Sequence, residues 1–333
     1  MKPTFKLFLL GLLMVTGTLL ANKLGWNSPD GVQTAGLTMV ALPLKNTIAE
    51  SEMIKNLRHE HTWASEIKSK QNWVNQDTIK IPKQGKAPKV LINNTNYPIV
   101  KNGRDDSHVI ISLHKFDTEN TTVTLDELYA SPYDKTSDVQ QQHRETLEDE
   151  TLEYGLWGLG PQENDEANNL FILQTTGALV NGRRKLIAAD LRVLQEKMNT
   201  AKITKKGRIL ILADHHVTDL LNEDKQFTTQ YHNHKEGAIM SNFYGFKVYE
   251  DSTTPQYDAS LEKLPYDSLT TGRKASVVFY SNTTAKAAGT VTRFAREATA
   301  DPENRQHTIG FQLYHIIVAY GIEGSAAIVS ATA

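Results

Sequence analysis

Four histidines and two aspartates form the one metal-like pattern in the 333-residue chain. His215 and His216 stand between Asp214 and Asp219, and His232 and His234 follow in the polar segment Thr228–Lys235. Imidazole and carboxylate are adequate ligands for zinc and other divalent ions, and a ligating His normally needs an acceptor for its second nitrogen. Two adjacent histidines on a helix point about 100° apart, however, and no His-Glu-x-x-His spacing occurs. These residues are therefore expected to be surface or interface histidines, with no metal site. Cysteine is absent, which excludes thiolate catalysis, disulfide staples and Cys-based zinc. Gly155, Gly158 and Gly160 follow no strand and precede no Gly-Lys-Ser/Thr, and no Gly-x-Ser-x-Gly elbow is present. No catalytic residue and no cofactor-binding residue are expected.

Charge points to surfaces, not to a reaction. The balance is 38 acidic against 36 basic residues, a net of −2, so no global basic field marks a nucleic-acid binder. Two local clusters stand out. Glu145, Glu148, Asp149, Glu150 and Glu153 make one face of a candidate helix strongly acidic. Arg183, Arg184 and Lys185, with Lys202, Lys205, Lys206 and Arg208, make a basic cluster beside another. Each reads as solvated surface or as one side of a contact between subunits, and the basic cluster also suits a phosphate backbone.

The elements that must position these residues follow from periodicity. Val139, Leu147 and Tyr154 give Ser137–Tyr154 a thin apolar face, with Ser137 and Gln140 as a capping pair and Gly155 and Gly158 as its close. Ile187, Leu191, Leu194 and Met198 form one stripe on a helix over Arg184–Met198. Asn168–Thr175 and Asp214–Leu221 are also expected to be helical. Gly207–Ala213 reads as a buried strand, and Asn242–Tyr249 and Ala275–Tyr280 as further strands. After Tyr280 a small-residue helix, a polar loop and a closing pair of β segments, Ile309–Val329, are expected. The order fits an α+β fold around a mixed sheet.

Between Trp63 and Phe116 the chain is polar and basic, with strand candidates at Trp73–Ile81 and Val109–Phe116. Pro82, Pro88 and Pro98 and several Asn and Gly residues lie between them. So long an excursion inside a compact domain is uncommon unless functional or disordered. It predicts a projecting β-hairpin arm with few contacts in its own chain, and Trp73 at its root is a candidate contact to a neighbour. Upstream, Asn46–Arg58 suits a short helix. Met1–Ala21 pairs a charged start with an uncharged run, Leu7–Asn22, shorter than the ~20 residues that span a bilayer. It suits a secretory signal or a hydrophobic arm helix.

Taken in order over about residues 25 to 330, these segments resemble the major capsid protein of tailed bacteriophages with the Hong Kong 97-type fold. The best local matches are Asp190–Leu194, Lys206–Leu212 followed by His216 and Asp219–Leu221, then Gly245–Tyr249 and Ile322–Ile328. Their flavour is similar to coat proteins of crAss-like and other phages of Bacteroidetes-type hosts. The resemblance implies an N-terminal arm at 1–62, an extended loop at 63–118 and a peripheral domain with a long spine helix at 119–165. An axial domain at 166–294 and a return to the peripheral domain at 295–333 complete it. It also implies self-association as pentamers and hexamers into an icosahedral shell, with portal, scaffold and decoration proteins as further partners. Packaged double-stranded DNA would lie on the inner face without sequence specificity. The place implied is the virion, assembled in host cytoplasm. On this reading Arg183, Arg184, Lys185, Glu148, Asp149, Glu150 and Trp73 are candidate contacts between subunits. The same fold serves encapsulin-type nanocompartments, and a true signal at 1–21 would instead mean an exported surface or ligand-binding protein.

Overall fold

The structure is a computed structural model. It describes residues 61–75, 78–83, 89–99, 101, 103, 106–131, 134–234, 237–266, 268, 272–320 and 324–332. The signal-like segment, the helix expected at 46–58 and all but the last two residues of the 1–62 arm lie outside them.

In chain order the first elements are β1 (Lys68–Ser69), β2 (Val74–Asn75), β3 (Thr78–Lys83), β4 (Ser107–Ser112), β5 (His114–Asp117) and β6 (Thr121–Thr124). The helices α1 (Leu125–Ala130) and α2 (Lys135–Leu159) follow, then β7 (Phe171–Gln174), β8 (Leu179–Val180), β9 (Arg183–Arg184) and α3 (Ala188–Thr200). Next come β10 (Arg208–Leu212), α4 (Asp214–Glu223), α5 (Lys225–Asn233), β11 (Met240–Phe243), β12 (Phe246–Glu250) and β13 (Gln256–Tyr257). The chain closes with β14 (Arg273–Tyr280), β15 (Thr284–Arg296), β16 (Gln306–Ala319) and β17 (Ala326–Val329).

Two sheets organise the body. The first runs β1-β15-β16-β5, with β6 on the other end of β16. Its spine is the antiparallel pair β15–β16, in register from Thr284–Ala319 to Arg296–Thr308 with one bulge. Alternation decides which faces of β16 are covered. Ile309 and Phe311 pack on Leu147 of α2, whereas Ile316, on the opposite face, packs with Ile79 and Ile81 of β3 and with Leu113 between β4 and β5. The helix expected after Tyr280 is instead β15. Its alanines favour a helix only weakly, and thirteen residues of strand pairing outweigh that preference.

The second sheet runs β11-β12-β10-β14-β17-β7, with β13 on β14. Every residue of β10 is buried, as the apolar run Ile209–Leu212 predicts, and Arg208 is buried with it. Leu210 and Leu212 meet Leu191, Leu194 and Met198 of α3. Ile209 and Ile211 meet Trp63 and the α2 residues Leu156 and Leu159 on the other face. The closing strands therefore divide: β16 belongs to the first sheet and β17 to the second. Likewise β15, inside the stretch assigned to one axial unit, lies in the first sheet.

Helix α2 is longer than its sequence suggests. The Asp134 carboxylate, not Ser137, caps it by accepting the Ser137 backbone N–H at 3.1 Å. The helix then runs through Gly155 and Gly158 to Leu159. Its buried face is Val139, His143, Leu147, Thr151, Gly155 and Leu159, each four residues after the last, a row that packs as one ridge, with Leu156 buried beside it. Gly155 does not terminate the helix. It lets Ile317 seat on the helix backbone, since a Cβ there would lie 2.4 Å from Ile317 Cδ1.

Other boundaries move for local reasons. Asn168–Thr175 is a short 3-10 turn followed by β7, because Asp165 caps the turn and Asn169 leaves it at φ 58°. Asn242–Tyr249 is a hairpin, with Tyr244 and Gly245 both at positive φ (49° and 84°), the signature of a tight two-residue turn. Val109–Phe116 breaks at Leu113, so that Ser112 pairs with Thr78 and His114 with His315. Trp73–Ile81 breaks into β2 and β3, with Trp73 in the turn before them.

The start of the expected arm is core. Trp63, Ile67, Ile79, Ile81 and Leu113 are all buried. Trp63 Nε1 donates to Asp251 Oδ2 at 2.6 Å, and His61 Nδ1 lies 2.7 Å from the same oxygen. Thr253 donates its backbone N–H and its hydroxyl to Asp251 Oδ1 at 2.8 and 2.6 Å. Burial of Asp251 works against its charge, but these donors and the His61 charge hold its carboxyl well below the usual range. Burial also opposes a charged His61, yet Asp251, with Glu153 and Asp149, raises its pKa.

Two outcomes follow from this packing. Gly155→Ala should destabilise the chain by about 1–3 kcal/mol through overpacking, despite the ~1 kcal/mol that alanine adds in helix propensity. Ile317→Ala in the same chain should relieve part of that loss in a denaturant double-mutant cycle; a Gly155→Ala chain as stable as its parent contradicts the packing. The second outcome concerns Asp251→Asn. A raised His61 contributes fully below about pH 6.5 and loses its contribution as pH rises through its folded value. A depressed Asp251 contributes above about pH 4 and loses its contribution as pH falls through its folded value. The stability gap between parent and Asp251→Asn should therefore be widest between those limits, about 3 kcal/mol, and narrow on either side. A gap independent of pH contradicts the pairing.

Candidate assembly surfaces

Of the four histidines that looked metal-like, His215 and His216 are spent on hydrogen bonds inside the second sheet, and His232 is exposed on α5. His216 is fully buried, with Nδ1 2.6 Å from Ser276 Oγ and Nε2 2.9 Å from Ser330 Oγ. His215 Nε2 lies 2.7 Å from the same Ser330 Oγ. The Ala213 backbone N–H donates to Ser276 Oγ at 3.1 Å, which leaves the Ser276 proton for His216. Burial, with Arg183 and Lys274 nearby, pushes the His215 pKa down to about 4, and burial, with His215 and Arg183 nearby, also holds His216 well below its usual value. Both rings are therefore neutral, and they tie β14 and the end of β17 to α4. His234 Nδ1 lies 2.5 Å from its local carbonyl partner, Tyr231 O. Among the described residues no group of three or more His, Asp or Glu is arranged to hold a metal.

The basic cluster divides. Arg183 is not a free surface cation. Its guanidinium grips Asp219 with Nη1 at 2.6 Å and Nη2 at 3.0 Å, and Nη2 also donates to the His215 carbonyl at 3.3 Å. Asp219 is buried and accepts the Leu186 N–H as well. Arg183 thus fastens the β8–β9 hairpin to α4, which the sequence did not reveal. Arg184 is exposed and Lys185 half-buried. On α2, Glu148 and Glu150 are exposed and Asp149 is half-buried, and Glu150 accepts the Tyr266 hydroxyl at 3.0 Å. Trp73 is seated in its own chain: it meets Tyr320 edge-on at 5.4 Å, and Lys70 Nζ stands 4.7 Å over its ring.

Two features missed by the sequence reading lie elsewhere. Within Lys89–Ile99, Val90 is 87% exposed, Ile92 84% and Tyr97 75%, and Leu91 and Ile99 are also exposed. Isolated apolar side chains on a surface are ordinary, but five in eleven residues make a patch of the kind that partners cover. The run Val90-Leu-Ile92 among prolines was the available signal. The second feature is a groove of about 630 Å³ between α2 and β5. Its buried or half-buried lining includes Phe116, Val139, His143 and Leu147, and Asp117, Glu119 and Glu150 are exposed in it.

No protein-family model and no curated protein matches the chain. Solved structures do match. A capsid structure of the cyanophage P-SCSP1u is 13% identical, with TM-score 0.59, covering 93% of this chain and all of that one. The capsid of a native GTA particle is 9% identical, with TM-score 0.58, covering 92% of this chain and all of that one. A structure of Mycobacterium phage Che8 is 12% identical, with TM-score 0.56, covering 85% and 96%. At such identities the likeness is one of architecture: the chain has an α+β fold of the Hong Kong 97 capsid type.

Proposed function

We propose that the chain is the structural subunit of an icosahedral phage head, joining copies of itself as pentamers and hexamers into a shell around the genome. The observation that carries this reading is the fold match along nearly the whole chain to capsid structures. The exposed apolar run at 89–99 supports it, because assembly would cover that surface. His215 and His216 are consistent with a structural role, since both are hydrogen-bonded within the second sheet and held neutral by burial. Virion localisation and assembly in host cytoplasm follow from the same reading, as do portal, scaffold and decoration partners and non-specific contact with packaged double-stranded DNA. An encapsulin-like compartment uses the same fold and differs in cargo.

The exported alternative and the shell are separated by one preparation. Purified chain should sediment as large closed particles, visible by negative stain, and should retain residues upstream of Asn22. A small soluble species beginning at or near Asn22 contradicts the shell and supports export.

Charge offers a narrower test. Reversing Arg183 would unpair buried Asp219 and damage the fold, so it reports nothing on assembly. Arg184→Glu with Lys185→Glu should lower particle yield while moving the subunit's thermal melt little. Single exposed pairs contribute only about 0–1 kcal/mol, but a closed shell repeats each contact in every copy. Parental particle yield from this double variant would return both residues to solvated surface.

A further inference from the structure

Where the end of α2 meets the second sheet, the chain forms a pocket of about 340 Å³, at the small end of the range for ligand sites. Rigid rings make much of its wall: Pro255, Pro265 and Tyr266, with Trp157 on the helix side. Glu153 and Lys274 bring one charge of each sign. Thr254, in the linker between β12 and β13, also lines it. This residue is 5% exposed, and its hydroxyl oxygen has no hydrogen-bond partner, although a buried polar group left unbonded is costly. The Thr253 hydroxyl beside it, by contrast, is spent on Asp251. A small pocket with ring walls and an unmet hydroxyl suits a ligand that is part apolar and part hydroxylated.

We infer that the occupant is a neutral sugar ring. A pyranose has a face of C–H groups that can lie on Tyr266 and the prolines, and an edge of hydroxyls that both donate and accept. Opposite charges in one pocket favour neither a cation nor an anion, but a hydroxyl can donate to the Glu153 carboxylate and accept from the Lys274 ammonium. That ammonium has three donors. One goes to the Ser252 carbonyl at 3.1 Å and Asp214 stands 3.6 Å away, so a third can serve a ligand. A flat aromatic ligand fits less well, because the Trp157 indole is already engaged. Its Nε1 donates to the Leu264 carbonyl at 2.8 Å, Lys263 Nζ stands 4.3 Å over its ring, and Tyr154 lies against it at 5.4 Å. The Thr254 hydroxyl finds a partner whichever way its proton points, since a sugar hydroxyl serves as donor or acceptor. A free sugar and the end of a glycan chain present the same ring. Either needs only the folded subunit, so the site stands or falls apart from the shell.

Saturation-transfer NMR reads the site on the full-length chain, with glucose, mannose, galactose and N-acetylglucosamine each offered alone. Transfer should reach the ring protons of at least one of them and should not reach sorbitol, which has hydroxyls but no ring. Thr254→Val should weaken that binding roughly tenfold, while the chain unfolds at an unchanged or higher denaturant concentration. Tyr266→Ala should abolish it, and Tyr266→Phe, which keeps the ring, should retain it. No transfer to any of these sugars from a folded chain overturns the proposal, as does equal transfer from the parent, Thr254→Val and Tyr266→Ala. A Thr254→Val chain that binds as the parent does but unfolds more easily has lost a hydroxyl bonded within the protein, which overturns the role given to Thr254. Retention of the chain on immobilised dextran, mannan, galactan or chitin, matched to the sugar bound, assigns the ligand to a glycan; binding without retention assigns it to the free sugar.

Discussion

One helix serves two sheets, and the rest of the architecture depends on it. The buried face of α2 places Leu147 under Ile309 and Phe311 of the first sheet, and Leu159, with Leu156 beside the four-residue row, under Ile209 and Ile211 of the second. Each fully buried aliphatic or aromatic side chain stabilises by roughly 1.5–3 kcal/mol, so neither sheet keeps its inner face dry without the helix. The cost falls on Gly155, where backbone rather than side chain must meet Ile317. A second fastening sits where the described chain begins. Asp251, at the end of β12, collects donors from His61, Trp63 and Thr253 and so binds the entry of the loop region to the second sheet.

The parts legible in the sequence are those decided by local pattern. The apolar run of β10 and the stripe Leu191, Leu194, Met198 required only periodicity, and both are buried, whereas Ile187, expected on the same stripe, precedes α3 and is half-buried. What escaped was decided by partners distant in sequence. Ala-rich β15 is a strand because β16 lies beside it, and Gly155 continues a helix because Ile317 presses on it. The break at Leu113 exists because the strands on its two sides pair with different sheets. For the assembly surfaces, charge was visible and its use was not. Arg183 looks like any surface cation until Asp219, thirty-six residues on, is placed against it.

The surfaces left over are unlike one another. One is an apolar segment with lysines; the other is a groove with carboxylates and an unbonded imidazole nitrogen, His143 Nε2. A protein that folded to act alone would gain from covering both within its own body. On the proposed reading, leaving each for another copy turns folding energy into association energy. Small singular contacts suffice under these conditions, since symmetry repeats every one of them.

Hydrogen–deuterium exchange tests this central claim most directly, comparing assembled particles with the same chain held dissociated at low concentration. The backbone of 89–99 should be slow to exchange in particles and fast in the dissociated chain, while β10 stays slow in both. Equal and rapid exchange at 89–99 in the two states would contradict the account, because that surface would then remain open to water in the assembly said to cover it.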